Sequence, residues 1–129
     1  MTAPVVVKMT LRNLTGPETA EVEVEVRREW APLGANRFLD LVRANYFDEC
    51  RFHRVLPDFI IQWGIPKEPE QYRKWGDAKI RDDEVVTTNA RGTLTFATSG
   101  PDARGSQIFV NMADNASLDG QGFAPFARV

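Results

Sequence analysis

The sequence predicts a mainly β chain, an antiparallel barrel or sandwich with one helix packed on it. Three observations lead there: several short stretches have strand character, turn residues separate them, and a single segment follows helical spacing without any βαβ rhythm. With 129 residues, 43% of them hydrophobic and 26% charged, residues 1–129 read as one globular domain able to bury a core.

Val5 to Leu11 reads as a strand, and Asn13 to Pro17 carries the Asn, Gly and Pro of a turn. Ala20 to Arg28 then alternates strictly, with Val22, Val24 and Val26 on one face and Glu21, Glu23 and Glu25 on the other. The two strands predict a half-buried antiparallel hairpin. After Pro32, the spacing of Ala35, Phe38, Leu41 and Val42 predicts an amphipathic helix, with Arg37, Asp40 and Arg43 pointing away. Arg51 to Trp63 predicts two strands joined by a tight turn at Pro57-Asp58. Pro66 to Asp83, rich in prolines and charges, predicts a long surface loop. Gly92 to Thr98 and Gln107 to Ala113 are further strands, separated by the turn Ser99 to Gly105. No internal repeat or low-complexity tract is present.

Charge and composition exclude several function classes. The 16 basic and 18 acidic residues give a net charge of -2, so no diffuse positive field is available for nucleic acid or anionic lipid. No stretch reaches the roughly 18 apolar residues of a membrane helix. No targeting signal is visible, which leaves cytosol and organelle equally open. The triplets Asn13-Leu14-Thr15 and Asn115-Ala116-Ser117 match a glycosylation pattern by chance. One cysteine, Cys50, and one histidine, His53, cannot build an internal disulfide or a Cys/His zinc cluster. No nucleophile elbow or papain-like signature surrounds Cys50, Ser99, Ser106 or Ser117, so a hydrolase stays nominal; Cys50 reads as a buried small thiol and His53 as a structural strand residue. Asp82, Asp83 and Glu84 match no calcium loop and read as a solvated acidic turn. Neither a metal nor a cofactor is expected.

One constellation stands apart. Arg54 sits in an apolar strand, where an arginine calls for an ion pair with a carboxylate or for a site. Period two places Phe52, Arg54 and Leu56 on one side, a cation beside a ring, with His53 and Val55 on the other. Gln107 and Phe109 share a face of their own strand, again an amide beside a ring.

The runs FHRVLPDFIIQWG (Phe52 to Gly64), GTLTFATSGPDARGSQIFV (Gly92 to Val110) and LDGQGFAPF (Leu118 to Phe126), in that order and preceded by the helical segment PLGANRFLDLVRANYFD, resemble the cyclophilins, the cyclosporin-binding peptidyl-prolyl cis-trans isomerases. The resemblance covers nearly the whole chain. It implies a cyclophilin-like eight-stranded antiparallel β-barrel capped by helices, with the site on its outer face. It also implies that Arg54 is catalytic and that Phe59, Ile60, Phe109 and Leu118 form the proline pocket, with Phe123 replacing the usual rim histidine. Gln62 and Gln107 correspond to the two glutamines near the substrate backbone, and Ala97, Thr98 and Ser99 to the edge that pairs with a bound peptide. The implied substrates are proline-containing polypeptides, and the chemistry needs no nucleophile, metal or cofactor. Rotation about an X-Pro bond is opposed by amide resonance, with a barrier of about 18 to 20 kcal/mol. Twisting leaves a lone pair on the prolyl nitrogen that a guanidinium can bind, a gain absent from the planar ground state.

The sequence departs from the family pattern at three places. Ser117 replaces a tryptophan that lines the cyclosporin surface, so cyclosporin binding is not carried over. Thr98 replaces the usual asparagine, with a modest loss expected. After Phe126-Ala127-Arg128 the family continues through a last helix and the strand that closes the barrel, which predicts a domain incomplete at its C-terminal end with an open sheet edge. Two expectations follow: the chain is a fragment of a longer protein, or neighbouring subunits of a larger assembly cover the edge. A cyclophilin-like binding or structural subunit with little turnover is therefore the alternative to an active isomerase.

Overall fold

Alternation of valine with charged residues drives the first two strands together. In the computed structural model, which describes residues 4–12, 14, 16 and 18–129, β1 (Val5–Arg12) pairs antiparallel with β2 (Thr19–Val26), and Val7 lies opposite Val24. Val24 and Val26 are buried while Glu21 and Glu23 are exposed, as period two requires. The turn expected at Asn13 to Pro17, and the triplet beginning at Asn13, lie partly outside the described residues.

Helix α1 (Pro32–Arg43) starts with Pro32 in its first turn and buries Phe38, Leu39 and Leu41. Its N-terminal amides find no acceptor in their own cap residue. Asp83 accepts instead, from Leu33 N (3.1 Å) and Gly34 N (2.8 Å), across about 50 residues of sequence. The same carboxylate pairs with Arg104 Nη1 at 3.1 Å, and the two side chains are only 4% and 5% exposed. Asp83 is thus a buried anchor and not part of a solvated acidic turn.

β3 (Arg54–Leu56) and β4 (Ile60–Trp63) form the expected hairpin, with Asp58 at φ 58° and Phe59 N bonded to Leu56 O. Where the sequence predicts a loop over Pro66 to Asp83, a second helix, α2 (Pro69–Gly76), forms. β5 (Thr93–Phe96) and β6 (Ile108–Asn111) are shorter than expected, and a 3₁₀ turn (Ala116–Gln121) precedes a two-residue strand, β7 (Ala127–Arg128).

These strands make one seven-stranded antiparallel sheet in the order β1-β2-β7-β5-β6-β4-β3, curled as a half-barrel. The eighth strand implied by the resemblance is absent from the described residues, so β1 and β3 are its two edges. Alternation divides the side chains between two cores. Phe38, Trp63, Leu94, Phe96, Ile108 and Phe126 pack with α1 and the hairpin, whereas Ile60, Phe109 and Leu118 cluster separately with Leu56, Phe59, Ala97 and Phe123. Among the described residues no helix is long and apolar enough to cross a membrane.

The main core holds one strongly perturbed phenol. Tyr46, 4% exposed, donates its one hydroxyl proton to Gly64 O at 2.9 Å and accepts from Ser106 Oγ at 2.7 Å. Burial pushes its pKa up to about 12, against a weaker opposing pull from the Ser106 bond. The unfolded phenol ionises near pH 10, so its stabilising contribution is complete below about pH 10 and is lost as pH rises to about 12. Denaturant titrations at pH 8 to 11.5 are expected to show a steeper loss of stability in the wild type than in Tyr46→Phe. Equal slopes would mean that the native phenol ionises normally.

Candidate functional site

The smaller core opens into a cleft of about 420 Å³ on the outer face of β3, β4 and β6. The strand register builds it: Arg54 lies opposite Gln62, and Gln62 opposite Phe109. Phe59 and Ile60 follow the β3–β4 turn, so two alternate residues of β4, Ile60 and Gln62, face the cleft beside Phe109. Leu118 comes from the 3₁₀ turn and Phe123 from just after it; Phe123 meets Phe109 edge-on, with ring centroids 5.7 Å apart. The segment after β5 contributes Ala97, Thr98 and Ser99, and Gln107 precedes β6. Every residue the resemblance assigned therefore borders one cleft.

A buried polar network sets the apolar floor. Asn89 donates through Nδ2 to Asp119 Oδ1 (2.7 Å) and to Phe123 O (2.9 Å), while its Oδ1 accepts from Thr95 Oγ1 and Asn111 Nδ2. Asn89 and Asn111 are fully buried, and such groups hold only when paired. The network fixes the 3₁₀ turn to the sheet and thereby aims Leu118 and Phe123. Burial alone would raise the pKa of Asp119, but the Thr88 hydroxyl and the Asn89 side-chain and backbone N–H groups outweigh it and hold it below the usual carboxylate value.

The polar wall is a chain of donors and acceptors. Arg54 Nη1 donates to Gln62 Oε1 (3.4 Å), Gln62 Nε2 to Gln107 Oε1 (2.8 Å), and Gln107 Nε2 to the Tyr72 hydroxyl (2.9 Å). Arg54 is solvent-exposed at the rim, and no carboxylate among the described residues pairs with it. The buried ion pair with a carboxylate that Arg54 lacks is made instead by Arg104, outside the named strands, with Asp83. Nor is Phe52 the ring beside Arg54: it lies before β3 and packs edge-on against Trp63 at 5.7 Å, leaving Phe59 and Phe109 as the aromatic partners in the cleft.

Sequence reasoning missed the wall formed by Tyr72, Gly76, Lys79, Ala103, Gly105 and Ser106. Two glycines permit it. A Cβ on Gly105 would overlap Gly76 O, and one on Gly64, at φ 118°, would overlap Ser106 O. Lys79 Nζ is turned onto Gly76 O at 2.7 Å. His53 is exposed, outside β3 and outside the cleft. Cys50 is half-buried with its thiol against Tyr46 O, and burial raises its pKa. Among the described residues, no three His, Cys, Asp or Glu side chains gather into a potential metal site.

Comparison with known proteins agrees with this architecture. The sequence profile described as "Cyclophilin type peptidyl-prolyl cis-trans isomerase/CLD" matches residues 7–129. A peptidyl-prolyl cis-trans isomerase of Acinetobacter baylyi is 39% identical over 114 residues, 84% of this chain and 60% of that protein. Isomerase CYP18-2 of Arabidopsis thaliana is 36% identical over 121 residues, 88% of this chain and 69% of its own length. The chain therefore spans about two thirds of such relatives. Two crystal structures of a Cryptosporidium parvum cyclophilin-type isomerase cover 84% of the chain and 70% and 72% of theirs; TM-scores are 0.70 and 0.68 at 25% and 26% identity, and the second was obtained in the presence of the dipeptide Ala-Pro. On the profile match across nearly its full length, the chain belongs to the cyclophilin-type peptidyl-prolyl cis-trans isomerase family.

Proposed function

We propose that the cleft binds an X-Pro segment of a polypeptide and accelerates its cis-trans isomerisation. One observation carries this reading: Arg54, free of any carboxylate among the described residues and backed by Gln62, stands at the rim of the apolar floor made by Phe59, Ile60, Phe109 and Leu118. The floor receives the proline ring, and Phe123 walls it. Ala97, Thr98 and Ser99 offer backbone to the flanking peptide, and Gln62 and Gln107 offer amides. Held there, the prolyl nitrogen turns toward Arg54 as the bond twists and gains the lone pair that the guanidinium binds. The Ala-Pro dipeptide used with the Cryptosporidium parvum relative agrees with this choice of substrate class.

A second reading, a binding or structural subunit with little turnover, draws on the open edge: β1 pairs only with β2 among the described residues, and Val6 on it is 54% exposed. There a neighbouring subunit could add a strand. An NMR exchange assay on a short Ala-Pro peptide separates the two. Acceleration beyond the uncatalysed rate, whose time scale is tens of seconds or more, together with shifts at Phe59, Phe109 and Leu118, is the expected result. Shifts without acceleration would favour the binding subunit, and neither would remove both readings of the cleft.

A further inference from the structure

We infer that Tyr72, on α2, is a positioning residue that tethers the amide relay of the cleft wall and thereby holds the seat of Arg54. This rests on the isomerase reading proposed above and deepens it. A guanidinium has donors only, so the Gln62 atom facing Arg54 must be the carbonyl oxygen. Nε2 of Gln62 must then face Gln107, which must present its own oxygen. Gln107 is left with its NH₂ pointing along the wall, and this group needs an acceptor. The Tyr72 hydroxyl, at 2.9 Å, supplies it. The donor-only guanidinium sets the polarity of the relay from one end, and the Tyr72 hydroxyl, which can accept or donate, ties its far end to a helix.

The two glutamines differ in burial: Gln62 is 7% exposed, whereas Gln107 and Tyr72 are half-buried. Without the hydroxyl, the Gln107 side chain keeps only its Gln62 bond among the described residues and can swing toward solvent, leaving the NH₂ of Gln62 without an acceptor. Gln62 is then free to turn, which aims a donor at the Arg54 donor and releases the guanidinium from the cleft wall. Tyr72 need not touch substrate for this, and its ring remains in place in Tyr72→Phe.

The inference predicts an effect that depends on the chemistry of position 107. Tyr72→Phe is expected to lower kcat about three- to ten-fold with KM changed less than about two-fold, the scale of one neutral hydrogen bond. In a Gln107→Ala background the relay is already broken, so adding Tyr72→Phe is expected to change kcat by less than about two-fold. Equal losses in both backgrounds, an effect confined to KM, or no effect would overturn the inference. A readout independent of turnover is the pair of side-chain amide signals of Gln62 and Gln107 in ¹⁵N-labelled protein: one fixed set in the wild type, exchange-broadened or shifted in Tyr72→Phe. If the wild type accelerates no peptide, the isomerase reading fails on its own, and the amide signals still decide the relay; unchanged signals in Tyr72→Phe would sink it.

Discussion

Arg54→Ala is expected to lower kcat/KM about ten- to a hundred-fold while leaving the melting temperature within a degree or two of the wild type. The size follows from a charge-assisted hydrogen bond of about 1.5 to 3 kcal/mol made in the twisted state and not in the planar one. The split follows from the same asymmetry: planar amide nitrogen offers the guanidinium nothing, so the loss falls on kcat and KM stays close to its original value. Stability is spared because Arg54 is exposed, and its one side-chain bond among the described residues is the 3.4 Å contact to Gln62. Arg54→Lys keeps the charge but loses the planar fork that reaches Gln62 and the substrate together, so it should recover only part of the loss. Exchange spectroscopy on an X-Pro peptide, with thermal melts of each variant, makes the comparison. Full activity in Arg54→Ala would mean that the apolar floor and backbone contacts alone carry the rate.

What the sequence reveals of this molecule is set by how locally each feature is determined. Val22, Val24 and Val26 alternate with three glutamates, and Phe38 and Leu41 keep helical spacing, so the hairpin and α1 are written in their own residues. Helix α2 is not: only Tyr72, Trp75 and the buried Gly76 turn inward from a segment otherwise exposed and mostly polar. β7 is two residues long, too short for any period, and exists because β2 and β5 leave a gap that Ala127 and Arg128 fill from either side. The cleft residues were legible through the three separated runs that resemble one family, and the strand register brings those runs to one cleft. Tyr72 and Lys79 lie outside those motifs, and their place depends on how α2 docks, for which composition offers no signal. The same holds for the buried arginine. Asp-Ala-Arg-Gly at 102–105 reads as part of the turn Ser99 to Gly105, and the carboxylate of Asp83, 21 positions earlier, explains why Arg104 is inside.

That buried pair ties the start of α1 to the segment before β6, and its removal is open to a stability test. Arg104 Nη1 meets Asp83 at 3.1 Å, Nη2 donates to Arg81 O, and the guanidinium lies 5.9 Å from the Phe96 ring centre. Removing one partner leaves the other charge buried and uncompensated, a cost of about 3 to 5 kcal/mol, or a fall of roughly 10 to 20 °C in Tm for a chain of this size. The two removals are not equivalent. Arg104→Met leaves Asp83 with the Leu33 and Gly34 amides, two of its hydrogen bonds and the positive end of α1. Asp83→Ala strands the guanidinium and those two amides together, so it should be the more damaging of the pair. Asp83→Ala combined with Arg104→Met removes both charges and is expected to be more stable than Asp83→Ala alone, though short of the wild type because the α1 amides stay uncapped. Arg104 also precedes the Gly105–Gln107 segment that walls the cleft, and Arg37 Nη1 ties Gly105 O to α1 at 3.0 Å. Arg104→Met should therefore weaken peptide binding more than it slows turnover, the opposite of Arg54→Ala. Thermal melts of the three variants, with KM and kcat measured well below each Tm, check both orders. Asp83→Ala melting no lower than Arg104→Met would mean that the carboxylate holds the arginine alone and contributes nothing to the start of α1.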